Sequence, residues 1–398
     1  MENNRKGFGS FCLGLVVGLL TALIITSVIF RQNVSLSDDS FVNQRVLEKI
    51  ENLEQLIHRR FYLSEMTDAE LEEGMYRGIM AALNDPYSEY YTEEELVALL
   101  DSTEGIYYGI GAYVGLDPVT SLPKISGVIK DTPAQEADLR PDDLIYEVDG
   151  KTTYGLSLTE AVSMIKGPEG TKVHLTIVRD GETDYLELDI VRRKVESPTV
   201  EFEMLEDGMA YIQILEFDDV TVDQFADALA MAKGSDMGGL ILDLRANPGG
   251  SLTAVVEIAQ MLLPEGLIVY TEDKAGKKAE YYSDGRRELQ VPLVVLIDGN
   301  SASASEILAG AIQDYELGTL VGTTTFGKGI VQQIIALDDG SAVKLTISSY
   351  FTPNGRNIHG TGIEPDVEWE FDGEAYYRTE DPYDNQLEKA KEVLREMM

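Results

Sequence analysis

The chain has 398 residues, 44% of them hydrophobic, which is enough for two or three domains with cores of their own. Its formal net charge of −38 argues against nucleic-acid binding and against docking on an anionic lipid surface. The single cysteine, Cys12, excludes an intrachain disulfide and a cysteine-based metal centre. The three histidines (His58, His174, His359) show no tight metal-ligand spacing, so no metal or other cofactor is implied.

Phe8 to Phe30 is almost wholly apolar and follows Arg5 and Lys6. That length suits one membrane crossing, which takes roughly 20 residues. The basic flank places the N-terminus inside and the rest outside. A cleaved signal peptide has a shorter apolar region and ends at small residues, and Ser27-Val28-Ile29-Phe30 is a poor cleavage site. Residues 1–32 are therefore expected to be an uncleaved single-pass anchor in the cell membrane, with the remainder extracytoplasmic.

Residues 33–100 read as a linker and a helical module. Val46, Ile50, Leu53, Leu56 and Ile57 have helical spacing, and Asp68 opens a second helix with Leu71, Met75, Ile79 and Leu83. Asn84-Asp85-Pro86-Tyr87 closes it. Thr92-Glu93-Glu94-Glu95 caps a third helix, with acids at its positive end.

Residues 101–193 form a β-rich domain. Val173–Val178 and Tyr185–Val191 alternate around an Arg179–Glu182 turn, while Leu158–Ile165 and Pro133–Leu139 suit short helices. Gly109-Ile110-Gly111 is either a plain glycine turn or a loop of bare backbone N–H groups suited to a chain-terminal carboxylate, beside which a peptide adds as a strand.

Residues 194–370 alternate strands (Met209–Ile214, Gly239–Leu244, Leu293–Ile297, Thr319–Val321, Val343–Tyr350) with helices (Val222–Ala232, Leu252–Leu263, and one after Ser303). That order implies an α/β core. Residues 371–398 end in an amphipathic helix carrying Leu387, Ala390, Val393 and Leu394. This helix and the N-terminal ones suit a homodimer and packing on their own chain equally.

Ser303 follows a buried strand and opens a helix. Ser303-Ala304-Ser305-Glu306 fits a capping box, a local role needing no chemistry. Alternatively the hydroxyl faces a substrate, with the helix N-terminus favouring a developing oxyanion. A serine nucleophile needs a base. His359 lies in a loop; Lys328, between Phe326 and Ile330-Val331, has apolar neighbours that disfavour its ammonium form. Gln332 is placed to orient that amine. Amides of Ala304 and of Asn247-Pro248-Gly249-Gly250 are natural oxyanion donors. Gly322–Lys328 half-spells a phosphate-binding loop, but residue 329 is Gly rather than Ser or Thr and the chain after it is strand-like, which excludes nucleotide binding.

Taken together, Asn84–Ser88, Leu242–Gly250, Ser301–Glu306, Phe326–Gln332 and Gly362–Asp366 resemble the carboxyl-terminal processing peptidases (tail-specific proteases) of serine peptidase family S41. Tyr108–Gly111, Asp131–Ala134 and Asp143–Gly150 resemble a PDZ domain, departing from it at Asp138, where glycine is common, and at Asp142-Asp143. The resemblance implies a crotonase-like α/β core with an inserted PDZ domain. It also implies a Ser303–Lys328 dyad assisted by Gln332, with oxyanion donors at Gly249, Gly250 and Ala304. The expected function is endoproteolysis near the C-termini of protein substrates, whose tails the PDZ loop Gly109-Ile110-Gly111 captures. The rivals are a non-catalytic PDZ scaffold and a small-molecule esterase or amidase, for which a PDZ domain has no evident use.

Overall fold

The computed structural model describes residues 41–63, 66–378 and 383–398. The apolar segment Phe8–Phe30 lies outside the described residues, and among those no helix is long and apolar enough to cross a membrane. The chain divides into two units, Met1–Ile79 and Met80–Met398.

In the first unit, helix α1 (Gln44–Arg60) is capped by Asn43, whose side chain accepts the Val46 N–H. His58, Arg59 and Arg60 sit at its negative end. Helix α2 (Asp68–Ala81) opens with a reciprocal box between Thr67 and Glu70. Ile50, Leu53 and Ile57 of α1 and Leu71 and Met75 of α2 line an open groove of about 450 Å³.

The second unit takes in the end of α2 from Met80, then β1 (Glu89–Tyr91) and α3 (Glu93–Glu104). A small β domain follows: β2 (Ile106–Gly109), β3 (Ala112–Leu116), β4 (Pro123–Val128), α4 (Pro133–Glu136), β5 (Leu144–Val148), β6 (Lys151–Thr152), α5 (Leu158–Ile165), β7 (Lys172–Val178), β8 (Leu186–Val191) and β9 (Arg193–Glu196). Its sheet runs β3-β4-β5-β7-β8, while β2 and β9 pair separately as an antiparallel neck. Ile125, Ile145, Val173, Leu175, Ile177 and Ile190 fill its core. The helix expected over Pro133–Leu139 lasts only to Glu136, because Asp138 turns the chain at φ +57. Asp138 and Asp142 (φ +72) occupy left-handed conformations that glycine usually takes and Asp tolerates. The departures from the PDZ pattern therefore keep the turn. Arg140 grips Asp138, and Arg179 grips the buried Asp143.

The rest comprises β10 (Val200–Met204), β11 (Met209–Ile214), α6 (Thr221–Gly234), β12 (Gly239–Asp243), α7 (Leu252–Ala259), β13 (Glu265–Asp273), β14 (Lys278–Asp284), β15 (Leu293–Ile297), α8 (Ala304–Asp314), β16 (Thr319–Gly322), β17 (Ile330–Ala336), β18 (Ala342–Phe351), β19 (Val367–Glu368), α9 (Gly373–Arg378) and α10 (Asn385–Met397). One sheet runs β10-β11-β12-β15-β16-β19, parallel from β11 onward. Every residue of β12 and β15 is buried, as expected of strands covered on both faces. Helices α6, α7 and α8 contribute to the main core on one face, and α10 covers the other with Ala390 and Leu394. The mixed α/β character read from the element order is what the structure has. A second sheet runs β1-β18-β13-β14, with β17 paired to β18.

Candidate active site

The parallel neighbours β11, β12 and β15 end on one edge of the sheet, and crevices outside such carboxyl ends are where α/β sheets bind ligands. The loops after β12 and β15 are stitched together there. Ser301 Oγ donates to the Leu244 carbonyl at 2.8 Å. Ser305 Oγ donates to the Asn247 carbonyl at 3.0 Å. Asn247 is fully buried; its Nδ2 donates to the Ile214 carbonyl and its Oδ1 accepts the Gly249 N–H. Of the three alternating serines, the outer two are thus tied into the frame. Ser303 sits half-buried between them, and of the capping box read from the sequence the Glu306 half is formed, its carboxylate accepting the Ser303 N–H.

Ser303 has φ 55° and ψ −110°, a conformation costly for a residue with a Cβ. The surroundings hold it there. Its N–H donates to Glu306 Oε2 at 2.9 Å, and its carbonyl accepts the hydroxyl of buried Tyr350 at 3.0 Å. Burial pushes the Tyr350 phenol well above its ordinary range, and Glu306 adds to that, so it stays a neutral donor.

Glu306 is completely buried and reaches the lysine loop as well. Its Oε1 accepts the Thr325 hydroxyl at 2.6 Å and the Gly327 N–H at 2.7 Å; its Oε2 accepts the Lys328 N–H at 2.9 Å. One carboxylate therefore binds the serine turn to the lysine loop. The Lys328 side chain is half-buried, with Nζ 4.7 Å from the Tyr87 ring centroid. Burial lowers its pKa, the charge of Lys344 lowers it further, and Asp85 and Glu306 oppose the shift. Among the described residues no hydrogen bond joins Lys328 Nζ to Ser303 Oγ. Gln332, on β17, donates to Thr346 Oγ1 at 3.2 Å rather than to Lys328. His359 has an exposed side chain; its backbone, not its ring, packs against Gly329.

The three oxyanion candidates differ. A Cβ on Gly249 would lie 2.7 Å from the Ala302 carbonyl oxygen, 2.7 Å from Ser303 Cβ and 2.9 Å from the Ala304 nitrogen, so only glycine permits this approach. The Gly249 N–H itself is committed to Asn247 Oδ1 at 2.8 Å. The N–H groups of Gly250 and Ala304 have no acceptor among the described residues. In this conformation Gly249 supplies clearance, and the free amides are those of its neighbours.

In the β domain, Gly109, Ile110 and Gly111 line a groove of about 280 Å³ together with Tyr113, Val162 and Ile165. The carbonyls of Ile110 and Gly111 accept the amides of Ala134 and Ile129. Their own N–H groups have no acceptor among the described residues.

Comparison with known proteins bears on the family. Peptidase family S41 matches residues 208–369, a PDZ domain matches residues 124–179, and the N-terminal domain of the activating protease CtpB matches residues 26–95. The carboxyl-terminal-processing protease of Synechocystis sp. is 32% identical, the alignment covering 99% of this chain and 95% of that protein. This chain belongs to the carboxyl-terminal processing peptidases of family S41. Carboxy-terminal processing protease CtpA of Bacillus subtilis is 34% identical over 93% of this peptidase and 78% of its own length. A solved S41 protease from Bacteroides fragilis shares the fold, with a TM-score of 0.53 and 18% identity over 88% of this chain and 97% of its own. The enzyme class is therefore that of a serine-type C-terminal processing peptidase.

The sequence reading of the peptidase left three parts of the site unassigned. Glu306 registers in sequence as a cap alone, because its contact with the Phe326–Lys328 loop is not local. Tyr350 is one apolar position in a strand. Asp85, Tyr87 and Ser88 mark a helix end and a family motif, with no signal that Tyr87 meets Lys328.

Proposed function

We propose that this peptidase cleaves protein substrates near their C-termini with Ser303 as nucleophile and Lys328 as general base. The observation that carries the reading is Glu306: it holds both the Ser303 and Lys328 amides while the lysine amine is partly desolvated. Neutral Lys328 takes the Ser303 hydroxyl proton as Oγ attacks the scissile carbonyl. The N–H groups of Ala304 and Gly250, beside Gly249, receive the oxyanion. The resulting ammonium returns the proton to the leaving amine, and water hydrolyses the acyl-enzyme by the same route. Gln332, its Nε2 on Thr346, turns its side-chain oxygen to the amine and orients it.

The PDZ groove takes the substrate tail, its terminal carboxylate on the Ile110 and Gly111 amides and its strand along β3. Residues 1–32 anchor the enzyme in the cell membrane with the catalytic part outside, a reading supported by the Phe8–Phe30 run and its basic flank. Self-association through α1 and α2 belongs to the same reading, supported by their apolar groove.

The test is cleavage of a fluorogenic peptide with a free apolar C-terminus by the full chain, its Ser303→Ala variant and its Lys328→Ala variant. Both variants are expected to lose turnover while staying folded. Undiminished cleavage by either variant refutes the dyad.

A further inference from the structure

The turn at Asp85–Ser88 touches the lysine and, through one intermediary, the glutamine. Asp85 Oδ1 accepts the Tyr87 N–H at 3.1 Å, and Oδ2 accepts the Ser88 hydroxyl at 2.6 Å. Buried Ser88 in turn accepts the Thr346 N–H on its Oγ at 3.1 Å. Thr346 lies on β18 directly opposite Gln332 on β17, and its hydroxyl accepts Gln332 Nε2. The chain of contacts thus runs Asp85, Ser88, Thr346, Gln332. On its other side the turn presents the Tyr87 ring, over which Lys328 Nζ stands at 4.7 Å.

The placement is not incidental to the turn's own stability. Strand β1, which follows it, pairs with β18 in the register Glu89↔Lys344, Tyr90↔Val343. That pairing brings Ser88 beside Thr346. A register irregularity between Val331 and Gln332 on β17 re-aims the glutamine there. An aromatic face under an amine fixes its position and excludes water from one side of it.

We propose that the Asp85–Ser88 turn is a positioning element of the active site: Tyr87 seats the Lys328 amine, and Asp85 and Ser88, through Thr346, hold the Gln332 side chain. The inference rests on the assignment of Lys328 as the base. The charged groups that act on Lys328 are Lys344, Asp85 and Glu306, and His359 acts on Asp85. Burial opposes ionisation of Asp85, but hydrogen bonds from Ser88, Thr346 and the Tyr87 amide outweigh it and hold the carboxyl below its ordinary range. Its negative charge favours the ammonium form of Lys328. Removing that charge makes the lysine easier to deprotonate.

The experiment measures kcat, KM and the pH profile of kcat/KM on the fluorogenic peptide for the parent, Asp85→Asn, Tyr87→Phe and Tyr87→Leu, each as the full chain. Asp85→Asn is expected to move the acidic limb to lower pH. Tyr87→Leu is expected to lower kcat about tenfold or more with KM nearly unchanged. Tyr87→Phe, which keeps the face, is expected to behave as the parent does. If Asp85→Asn and Tyr87→Leu lower only the melting temperature, with the parent's limb and kcat per folded molecule, the turn is structural and the inference is overturned. Should one of the two not fold, the other decides by the same criterion. Ser303→Ala and Lys328→Ala run alongside: if they remain active the base assignment itself fails, whereas inactive controls with unaltered turn variants remove only this inference.

Discussion

The amides of Ser303 and Lys328 donate to the same oxygen, Glu306 Oε2, each at 2.9 Å. The other oxygen takes Thr325 and Gly327, so all four partners of this buried side chain are donors. A glutamine there must turn its NH₂ group toward two of them. Glu306→Gln is expected to cost about 2–4 kcal/mol and to lower kcat at least tenfold, because the serine turn and the lysine loop lose their common tie. Thermal melts and steady-state kinetics check both. A glutamine variant with the parent's melting temperature and kcat contradicts the tie.

Lys328 carries a pH prediction with two readouts. Its folded pKa lies below the ordinary lysine value, chiefly through burial. The rate should therefore rise with pH through a base pKa below about 10.4. For stability the sign is unfavourable: binding the proton is harder in the folded state. That penalty is fully present below the folded pKa and vanishes above the unfolded one. Lys328→Met is expected to abolish turnover yet melt higher than the parent at pH 7, with the gap closing above about pH 10. Equal melting temperatures across that range would show that the amine is not desolvated.

These two residues illustrate what sequence can and cannot convey. The apolar runs at Gly239–Asp243 and Leu293–Ile297 are legible as doubly covered strands because their burial is continuous. The helical pattern expected to run to Leu263 stops at Ala259, yet Met261, Leu262 and Leu263 stay buried. Periodicity there reports burial, not helix. The hairpin β13–β14 mixes buried, half-buried and exposed positions in no regular alternation, so nothing local announces it. In the site, Ser303, Lys328 and Gln332 are visible as motifs, while their support depends on pairings between distant segments. Whether the Gly249 amide is free depends on where the Asn247 side chain points, which only the folded chain decides.

Gly249 offers a steric test. Its φ of +104° is unfavourable for any residue with a Cβ, and a methyl there would meet the Ala302 carbonyl oxygen and Ser303 Cβ at 2.7 Å. Those contacts are with the Ser303 turn, not with a flexible side chain. Gly249→Ala is expected to lose most activity and about 1–3 kcal/mol of stability. Measurement of kcat alongside a denaturant titration separates the two losses. A variant that turns over normally shows that the turn can yield without harm to the chemistry.

Asp218 links the neck of the PDZ domain to the loop at residues 247–251 and should make stability depend on pH. It is 5% exposed, and burial raises its pKa to about 7, helped by the charges of Glu216 and Asp219. Its carboxyl lies against Gly105, just before β2, where an added Cβ would sit 3.0 Å from Oδ2. The backbone of adjacent Phe217 pairs with Gly249 and Ser251. A carboxyl whose folded pKa is raised holds its proton where the unfolded chain has lost it. Stability therefore falls as pH climbs from about 4 toward 7 and levels above that. Solvent relaxation around the charge brings the expected loss to about 2 kcal/mol, less than the full shift implies. Asp218→Asn, which never ionises, should flatten the melting-temperature curve between pH 4.5 and pH 8 and melt higher than the parent at the upper end. Glu216, whose pKa burial also raises, leaves a smaller residual slope. Parallel curves for parent and variant would place the pH dependence elsewhere in the molecule.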